Sequence, residues 1–456
     1  MRYSLPVFFF LLLSFSTQAQ WDDTDRLPPK FHQQKREALR NLMPEKSAAI
    51  FFANPVRTRS NDVDFQFSQD PNFYYLSGHL EPNAALIIFK EPRLLDGIST
   101  NEILFVQAKN PSQETWTGKI LGVEGAKKML EFKSVYKGIE LKDFGINWTS
   151  LDEIIGIYPD QPNHAAFSNS ELSDLVGYIT ESIAKAKKEI DERKLISMMT
   201  KLREIKSQEE IVLMQKAMDI TIDGFNEMFK QLKPGMTEYQ AQAIIEFHSK
   251  KGGSEYMGYP SICGGGNNSC VLHYTFNRKT LESGDLLLID MGAEYHGYTA
   301  DITRTVPVNG KFSEEQKIIY NLVLAAQNAG IAQCKKGKSF NDAHAAAYNV
   351  IATGLMQLGI TTSTSQANKY FMHGTSHYLG LDVHDVGAYQ KLQAGVVMTV
   401  EPGIYIDQGS NCDKKWWGIG VRIEDDILVT DGEPVNMTRA LVRSVEEIEG
   451  AMRFER

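Results

Sequence analysis

The sequence predicts an α+β protein of two domains. At about 100–200 residues per domain, its 456 residues favour two domains over one. Short apolar runs alternate with turns in the first third of the chain, whereas longer helical patterns and further strand-like runs share the rest. The hydrophobic fraction of 42% and the charged fraction of 23% are those of an ordinary globular protein with a core of normal size.

The amino-terminal part is predicted to be a small α/β domain. Apolar, strand-like runs occur at 48–53, 84–90 and 102–107, and turns and weaker helical stretches separate them. The stretch 171–216 combines helical periodicity with many charges. We interpret it as a solvated helix followed by a domain junction near 195–205, because charge runs usually lie on solvated faces.

The second domain is predicted to begin near Leu202 and to mix helices with strands. Pro234-Gly235 separates the first two helices, and no internal repeat of short fixed period is present. Helices are expected at 207–232, 237–251, 313–335 and 341–358, and strands at 285–291, 299–308, 396–402 and 421–430.

The first residues of the chain resemble a secretory signal peptide. Arg2 precedes an apolar run from Leu5 to Phe15, and small residues lead to a cleavage site after Ala19. The run is shorter than the about 20 apolar residues that a membrane-spanning helix needs, so we expect no stable membrane insertion after cleavage. The sequence therefore predicts a signal peptide over 1–19 and an exported protein, periplasmic or secreted, with an uncleaved anchor as the alternative.

Cysteine content and charge narrow the class of protein further. Export would permit disulfides, but the spacing of the four cysteines resembles neither a disulfide framework nor a zinc site, so free or buried thiols are expected. The formal net charge is −9, and no basic cluster marks a nucleic-acid surface. Nucleic acid is therefore excluded as a partner.

Two aspartates flank a predicted β-hairpin. An apolar run ends at Asp290, a short polar turn follows, and the next strand carries Asp301. A turn centred on Tyr295-His296 would place the two aspartates directly opposite each other, with Cβ atoms about 4.5–5.5 Å apart. Two carboxylates at that distance repel unless a cation lies between them; the alternative is a pair of turn-flanking aspartates on a solvated face.

Three of the ten histidines fall within twelve residues, at His373, His377 and His384. The spacing of the first two is that of a helical zinc motif, but Gly374 stands where that motif needs a glutamate. Gly374 and Gly380 also oppose a regular helix. We therefore reject the helical zinc motif and predict that the three histidines share a site on irregular backbone.

Two further carboxylates occur at strand-like positions. Glu401 follows an apolar strand and precedes a turn, and Glu424 lies two residues after Arg422, so that these two side chains project from one face. Charged groups in such a strand cost free energy unless they are paired or bind a metal. The four carboxylates and the imidazoles favour manganese, cobalt, magnesium or zinc, and two divalent cations would balance four carboxylates.

The order of Asp290, Asp301, His377, Glu401 and Glu424 resembles that of the "pita-bread" metallopeptidases, which include methionine aminopeptidase, prolidase and aminopeptidase P. The segments around His273, at 371–385 and at 421–425 are similar to the prolidase and aminopeptidase P branch. Upstream segments resemble the aminopeptidase P amino-terminal domain, at 59–62, 66–70, 73–78 and 81–82. The resemblance implies a creatinase/aminopeptidase P type amino-terminal domain over 25–195 and a pita-bread catalytic domain over 202–445.

The resemblance also implies the role of each ligand. Asp290 would bind one metal with both oxygens, and Asp301 and Glu424 would bridge two metals. His377 and Glu401 would bind the second metal, and Glu401 would help to activate the water. The metals are expected to be two divalent ions, manganese first, with cobalt or zinc as alternatives.

Other residues match the family around the substrate. His273, His373 and His384 correspond to histidines near the substrate and the leaving group, Arg422 to an arginine that organises the carboxylates, and Tyr405 to a tyrosine in the ligand network. All five ligands are present. The predicted signal peptide implies export, whereas bacterial members of the family are usually cytoplasmic.

The activity implied is hydrolysis at the amino terminus of peptides with proline in second position, by a hydroxide that bridges two metals. A prolidase that cleaves only Xaa-Pro dipeptides is the close alternative, and a non-catalytic binding module on this fold is a third, which the complete ligand set disfavours. Peptide substrates and a homo-oligomer, dimer or tetramer, are the expected partners.

Overall fold

The computed structural model of the chain describes residues 25–159 and 170–453. The predicted signal peptide over 1–19 lies outside the described residues. Within the described ranges, no helix has both the length and the apolar character that crossing a bilayer requires. All four cysteines are free thiols, as the sequence predicts.

The amino-terminal part is built on one mixed sheet of six strands, which lie in the order Val135–Lys137, Ile98–Val106, Ala85–Leu95, Ser47–Phe52, Glu153–Gly156 and Ile190–Asp191. The helices of this part are Pro29–Leu42, Pro71–Ser77, Pro111–Thr117, Gly122–Leu130, Glu171–Lys185 and Glu192–Arg203, with 3₁₀ turns at Gly138–Asp143 and Trp148–Ser150. The strands are Ser47–Phe52 (β1), Thr58–Ser60 (β2), Val63–Asp64 (β3), Ala85–Leu95 (β4), Ile98–Val106 (β5), Val135–Lys137 (β6), Glu153–Gly156 (β7) and Ile190–Asp191 (β8). The small α/β domain predicted from the sequence is confirmed.

A buried arginine ties the first helix to this sheet. The guanidinium of Arg36 donates to both carboxylate oxygens of Glu102 at 2.9 and 3.0 Å and to the carbonyl oxygen of Leu76 at 2.8 Å. It also lies 4.0 Å from the ring centroid of Phe132, and Arg36 is only 1% exposed. The residue therefore joins the helix to strand β5 through contacts shielded from water.

We expect Arg36→Met to lower the free energy of unfolding by about 3 kcal/mol, since it removes the bidentate partner of a partly buried carboxylate, which keeps only the contact with Arg40, and leaves the carbonyl oxygen of Leu76 without this donor. Denaturant titration measures the loss. Lys46→Met is the matched control, because Lys46 and Asp152 form an ion pair with both side chains 67% exposed, and its loss costs less than about 1 kcal/mol. Equal losses in the two variants would contradict the role given to Arg36.

The junction between the two parts differs from the solvated segment that its charges suggest. The helix Glu192–Arg203 continues into it, and Arg203, Glu204 and Lys206 are 2%, 7% and 5% exposed. Arg203 and Lys206 both donate to the buried carboxylate of Asp385, at 2.5 and 2.9 Å. The interpretation of this charge run as a solvated face is therefore wrong at these positions, because an anion from the second part lies between the two cations.

The second part consists of small antiparallel sheets surrounded by helices. Its helices are Gln208–Gln231, Glu238–Lys251, Glu314–Ile331, Asp342–Gln357 and Val445–Ala451, with 3₁₀ turns at Gly266–Cys270, Thr364–Lys369 and Lys414–Trp416. The strands are Tyr256–Met257 (β9), Ile262–Gly265 (β10), Leu286–Met291 (β11), Ala293–Tyr295 (β12), Tyr298–Thr299 (β13), Ile302–Pro307 (β14), Val397–Val400 (β15), Gly403–Ile406 (β16), Ile419–Arg422 (β17), Asp425–Leu428 (β18) and Val435–Asn436 (β19). The four helices predicted for this part are confirmed.

The hairpin that carries the two aspartates turns one position later than predicted. Tyr295 pairs with Tyr298, so His296 and Gly297 form the turn. Their φ angles are 51° and 87°, the positive values that a two-residue type I′ turn requires at both central positions. Glycine reaches such angles at little cost, which places the turn on Gly297.

The register of the hairpin follows from this turn. Asp290 stands opposite Thr303, and the prediction that it stands directly opposite Asp301 is therefore wrong by two positions. A shift of two residues keeps a side chain on the same face of a strand. The carboxylates of Asp290 and Asp301 therefore still point to the same side of the hairpin, where both contact Tyr259.

Candidate metal centre

Asp290 and Asp301 converge on one tyrosine. The hydroxyl oxygen of Tyr259 lies 2.6 Å from Oδ1 of each aspartate. The two aspartates are 8% and 5% exposed, so their charges are shielded from most of the solvent. The hairpin thus brings together two buried carboxylates that the sequence separates by ten residues.

His377 lies beside them on irregular backbone. Its ring Nδ1 lies 3.0 Å from the carbonyl oxygen of Tyr378, and its Nε2 lies 3.3 Å from Oδ2 of Asp301 and 3.6 Å from Oε1 of Glu401. Because a carbonyl oxygen can only accept, Nδ1 carries a proton. Burial opposes a second proton, but the hydrogen bond and charge of Asp301 raise the pKa of His377 to about 9, so Nε2 also carries a proton in the metal-free site. A bound cation would take the place of that second proton. A second-sphere hydrogen bond like that of Nδ1 orients the histidines that bind metals.

Glu401 and Glu424 complete the carboxylate set. Glu401 follows strand β15, and its backbone N–H donates to the carbonyl oxygen of Thr375 at 2.8 Å. Glu424 lies between strands β17 and β18 and accepts a hydrogen bond from the Thr303 hydroxyl at 2.6 Å. Ligand atoms of Asp301, His377 and Glu424 all lie within 4.8 Å of one another. These residues therefore offer several donor atoms to a common point.

The buried carboxylates of this cluster repel one another, and a bound cation would relieve that repulsion. Burial, followed by the charges of Asp301, Glu401 and Asp290, raises the pKa of Glu424 far above its usual range. Burial and the neighbouring aspartates likewise raise the pKa of Glu401 to about 7, although His377 and Arg422 oppose the shift. Buried like charges are unfavourable without compensation. A set of four oxygen-rich carboxylates and one imidazole fits hard divalent cations.

Arg422 organises the network behind the carboxylates. Its guanidinium donates to Oδ2 of Asp290 at 2.6 Å and to the hydroxyl of Tyr405 at 2.9 Å. The Tyr405 hydroxyl lies 2.8 Å from Nε2 of His373, whose Nδ1 lies 2.6 Å from the carbonyl oxygen of Gly374. Burial and the charge of Arg422 lower the pKa of His373 to about 4. His373 is therefore neutral near pH 7, with Nδ1 protonated.

The remaining two histidines line the same cavity, which has a volume of about 460 Å³. The ring of His384 lies 4.4 Å from that of His377, centroid to centroid. Burial and the charge of His377 lower the pKa of His384. His273 is exposed at the wall of the cavity. The structure thus brings every side chain that the sequence nominated to one site, either at the ligand cluster or around it.

Sequence reasoning missed three residues that hold this cluster in place. Tyr259 contacts both hairpin aspartates, Thr303 contacts Glu424, and Oδ2 of Asp426 accepts the backbone N–H of Asp301 at 3.1 Å. Thr303 could have been found, because it lies two residues after Asp301 on the same face. No local pattern marks Tyr259, which approaches from a distant segment.

We expect Tyr259→Phe to lower kcat/KM by about 10–100-fold with little change in folding, because it removes a hydroxyl that orients two candidate ligands. Kinetics of peptide hydrolysis, the activity that the family resemblance implies, measure the loss. Tyr136→Phe is the matched control, since it removes a tyrosine–carboxylate contact at Asp96, remote from the cavity. Wild-type activity in Tyr259→Phe would contradict this role.

The fold and the site together define a metallopeptidase. The sequence model described as "Metallopeptidase family M24" matches residues 212–431, and the model described as "Aminopeptidase P, N-terminal domain" matches residues 32–150. The predicted α+β fold class, with an aminopeptidase P type amino-terminal domain and a pita-bread catalytic domain, is thereby confirmed. A family of metallopeptidases implies divalent metal ions at the ligand cluster.

Individual relatives cover nearly the whole chain. The Xaa-Pro aminopeptidase of Escherichia coli strain K12 is 35% identical over 436 residues, which are 92% of this chain and 97% of that protein. The Xaa-Pro aminopeptidase of Haemophilus influenzae is 36% identical over 444 residues, covering 94% and 98%. The solved structure of Pseudomonas aeruginosa aminopeptidase PepP matches with a TM-score of 0.84 at 33% identity, covering 94% and 98%. The chain belongs to the Xaa-Pro aminopeptidase group of metallopeptidase family M24.

Proposed function

We propose that this protein removes the first residue from peptides whose second residue is proline. The observation that carries the proposal is the convergence of four carboxylates and the Nε2 of His377 on one cavity. His373 and His384 in its wall and the relatives named Xaa-Pro aminopeptidase support it. A prolidase restricted to dipeptides is the alternative that the experiment below separates.

Five residues would hold the metals in this proposal. Asp290 would bind one cation, Asp301 and Glu424 would bridge two, and His377 and Glu401 would bind the second. When bound, two divalent cations supply Lewis acidity that activates water and polarises the peptide carbonyl. The buried, mutually repelling carboxylates and the oriented Nε2 of His377 fit that requirement.

Side chains of the protein would accept the proton of the attacking water and supply one to the leaving proline nitrogen. Oε2 of Glu401 lies 3.6 Å from Nδ1 of His373 and would take the proton of the attacking water. Tyr405, held by Arg422, fixes Nε2 of His373 as an acceptor. The nitrogen of proline has no N–H for the enzyme to grip and must gain a proton as it leaves. His384 and His273, in the cavity wall, are the candidates to bind the proline side of the substrate and to assist that transfer.

We extend the proposal to the metal, the location and the assembly. Manganese is the preferred ion because hard oxygen ligands dominate the set, with cobalt and zinc as alternatives. A solved relative is described as zinc-substituted E. coli aminopeptidase P in complex with product. The signal-like amino terminus supports export with cleavage after Ala19, which amino-terminal sequencing of the mature protein tests. The family resemblance supports a homo-oligomer, which light scattering tests.

A peptide series assayed with different metals tests the activity. Metal-depleted protein is supplied with manganese, cobalt or zinc and offered Ala-Pro, Ala-Pro-Ala-Ala and Ala-Ala-Ala-Ala. We expect release of alanine from Ala-Pro-Ala-Ala with one or more of these metals and no cleavage of the peptide without proline. Cleavage of Ala-Pro alone would favour the prolidase, and cleavage of neither proline peptide would overturn the proposal.

A further inference from the structure

A second and larger cleft adjoins the cavity of the metal centre. Its volume is about 590 Å³, and it shares Val383 and His384 with the metal cavity. Its walls come from both parts of the chain: Gln69 and Tyr74 from the amino-terminal part, and the turn of the aspartate hairpin from the other. The two spaces therefore meet at His384, and a peptide bound at the metals can continue into this cleft.

The proposed activity determines which part of a peptide would enter it. An aminopeptidase substrate has a single residue before the bond that is cleaved, whereas any number of residues can follow the proline. The metal cavity holds the bond itself and the groups next to it. A separate cleft of this size beyond His384 therefore suits the residues that follow the proline.

The cleft contains a carboxylate, that of Glu294, without a partner in the described part of the chain. Glu294 lies on strand β12, and within residues 25–159 and 170–453 no hydrogen bond or ion pair engages its carboxylate. The other two carboxylates of the cleft are occupied: Glu255 binds His296 at 2.8 Å, and Asp382 binds Arg203 at 2.7 Å. Burial and the charges of Glu255 and Asp382 raise the pKa of Glu294 to about 7. A cation supplied by the ligand would relieve that unfavourable charge.

The position of Glu294 along the hairpin determines which residue of a bound peptide can contact it. It follows Asp290 by four residues, and extended backbone rises about 3.3 Å per residue, so the two lie about 13 Å apart along the strand. An extended peptide covers that span in about four residues. A long side chain at the third to fifth residue of the substrate would meet the carboxylate.

We propose that the cleft binds the substrate beyond its proline and that Glu294 selects peptides with lysine or arginine at the third to fifth residue. This inference rests on the proposed function, because it assigns a further binding subsite to the same reaction. It identifies Glu294 as a specificity-determining residue. Glu255 and Asp382 shape the cleft through their own ion pairs.

Kinetics on matched peptides test the subsite. The substrates are carboxy-terminally amidated Ala-Pro-Ala-Xaa-Ala-Ala, with lysine, alanine or glutamate as the fourth residue. For the wild type we expect KM for the lysine peptide to be about tenfold lower than for the glutamate peptide, with a smaller difference at high salt. In Glu294→Gln that ratio falls to near one. Glu189→Gln, which removes an exposed carboxylate remote from the cleft, keeps the wild-type ratio.

The outcomes separate the inference from the function on which it rests. Cleavage of all three peptides with equal KM by the wild type overturns the subsite and leaves the aminopeptidase activity standing. A charge preference that Glu294→Gln retains overturns the role of Glu294. A fourth peptide, amidated Lys-Pro-Ala-Ala-Ala-Ala, completes the series: if the preference that depends on Glu294 appears for this peptide alone, the assignment of the cleft to the residues after proline is overturned. Absence of cleavage for every peptide overturns the proposed function and the inference with it.

Discussion

Replacement of Glu424 by glutamine is expected to lower kcat/KM by at least about 1,000-fold, which corresponds to about 4 kcal/mol of lost transition-state stabilisation. Glu424 is 2% exposed, accepts a hydrogen bond from Thr303 and lies among Asp301, Glu401 and Asp290. Glutamine keeps the shape and removes the charge, so the site would lose an anionic ligand without losing its packing. Kinetics on an Xaa-Pro peptide measure the loss.

The same substitution is expected to stabilise the metal-free protein, by about 1 kcal/mol, because glutamine removes a buried carboxyl group whose ionised form is unfavourable beside Asp301, Glu401 and Asp290 and which must bind a proton on folding. Added metal stabilises a protein only through binding to the folded state, so the metal-dependent rise in Tm should shrink in Glu424→Gln. Thermal unfolding with and without manganese measures both changes. Glu189→Gln is the control. If Glu424→Gln kept wild-type activity and the full metal-dependent rise, Glu424 would not be a ligand.

Replacement of Asp385 by asparagine is expected to lower the free energy of unfolding by about 3 kcal/mol, because the buried ammonium of Lys206 loses its carboxylate and Arg203 keeps only the more exposed Asp382. Arg203, Lys206 and Asp385 have side chains only 3%, 1% and 1% exposed. Asp385 follows His384, and its backbone N–H donates to the carbonyl oxygen of Tyr378, next to His377. We therefore expect kcat/KM to fall as well, by about tenfold, as the loop that holds both histidines shifts.

Asp382→Asn is the matched control for this prediction. Asp382 binds the same Arg203 but has a side chain 47% exposed, so its loss should cost less than about 1 kcal/mol. Denaturant titration of the two variants compares the losses directly. Equal losses in the free energy of unfolding would show that the buried carboxylate of Asp385 stabilises the fold no more than the exposed carboxylate of Asp382.

The pH dependence of the Asp385 effect has a definite sign. Burial alone would raise the pKa of Asp385, but Lys206 and Arg203 outweigh it and lower the pKa below its ordinary value. The unfolded chain therefore binds the proton more tightly than the folded chain, and the stabilisation is present above the unfolded pKa and lost as pH falls through the folded pKa. The difference between wild type and Asp385→Asn should be largest near pH 7 and shrink below about pH 4. A difference that grows on acidification would contradict it.

In the aspartate hairpin, the sequence predicts which face each side chain takes but not the register of the strands. Alternation along the strands correctly puts Asp290 and Asp301 on one face, because that depends only on the period of two. The register depends on which two residues take positive φ in the turn, and the choice of Tyr295-His296 instead of His296-Gly297 moved the pairing by two positions. The glycine carried the signal for the correct turn.

Contacts between distant segments were beyond sequence reasoning. Charges near the junction suggest a solvated face, since nothing local in the sequence indicates that Asp385 lies between Arg203 and Lys206. The same holds for Tyr259, whose partners are contributed by both strands of the hairpin. Ligand types and their order can be predicted from a sequence, whereas their partners depend on tertiary packing.

We propose that two divalent cations bind together at Asp290, Asp301, His377, Glu401 and Glu424. Anomalous X-ray diffraction from crystals grown with manganese tests it most directly. We expect two anomalous peaks within this ligand set, one beside Asp290 and one beside His377, with Asp301 and Glu424 in contact with both. No peak among these residues, or a single peak bound elsewhere on the chain, would contradict the account.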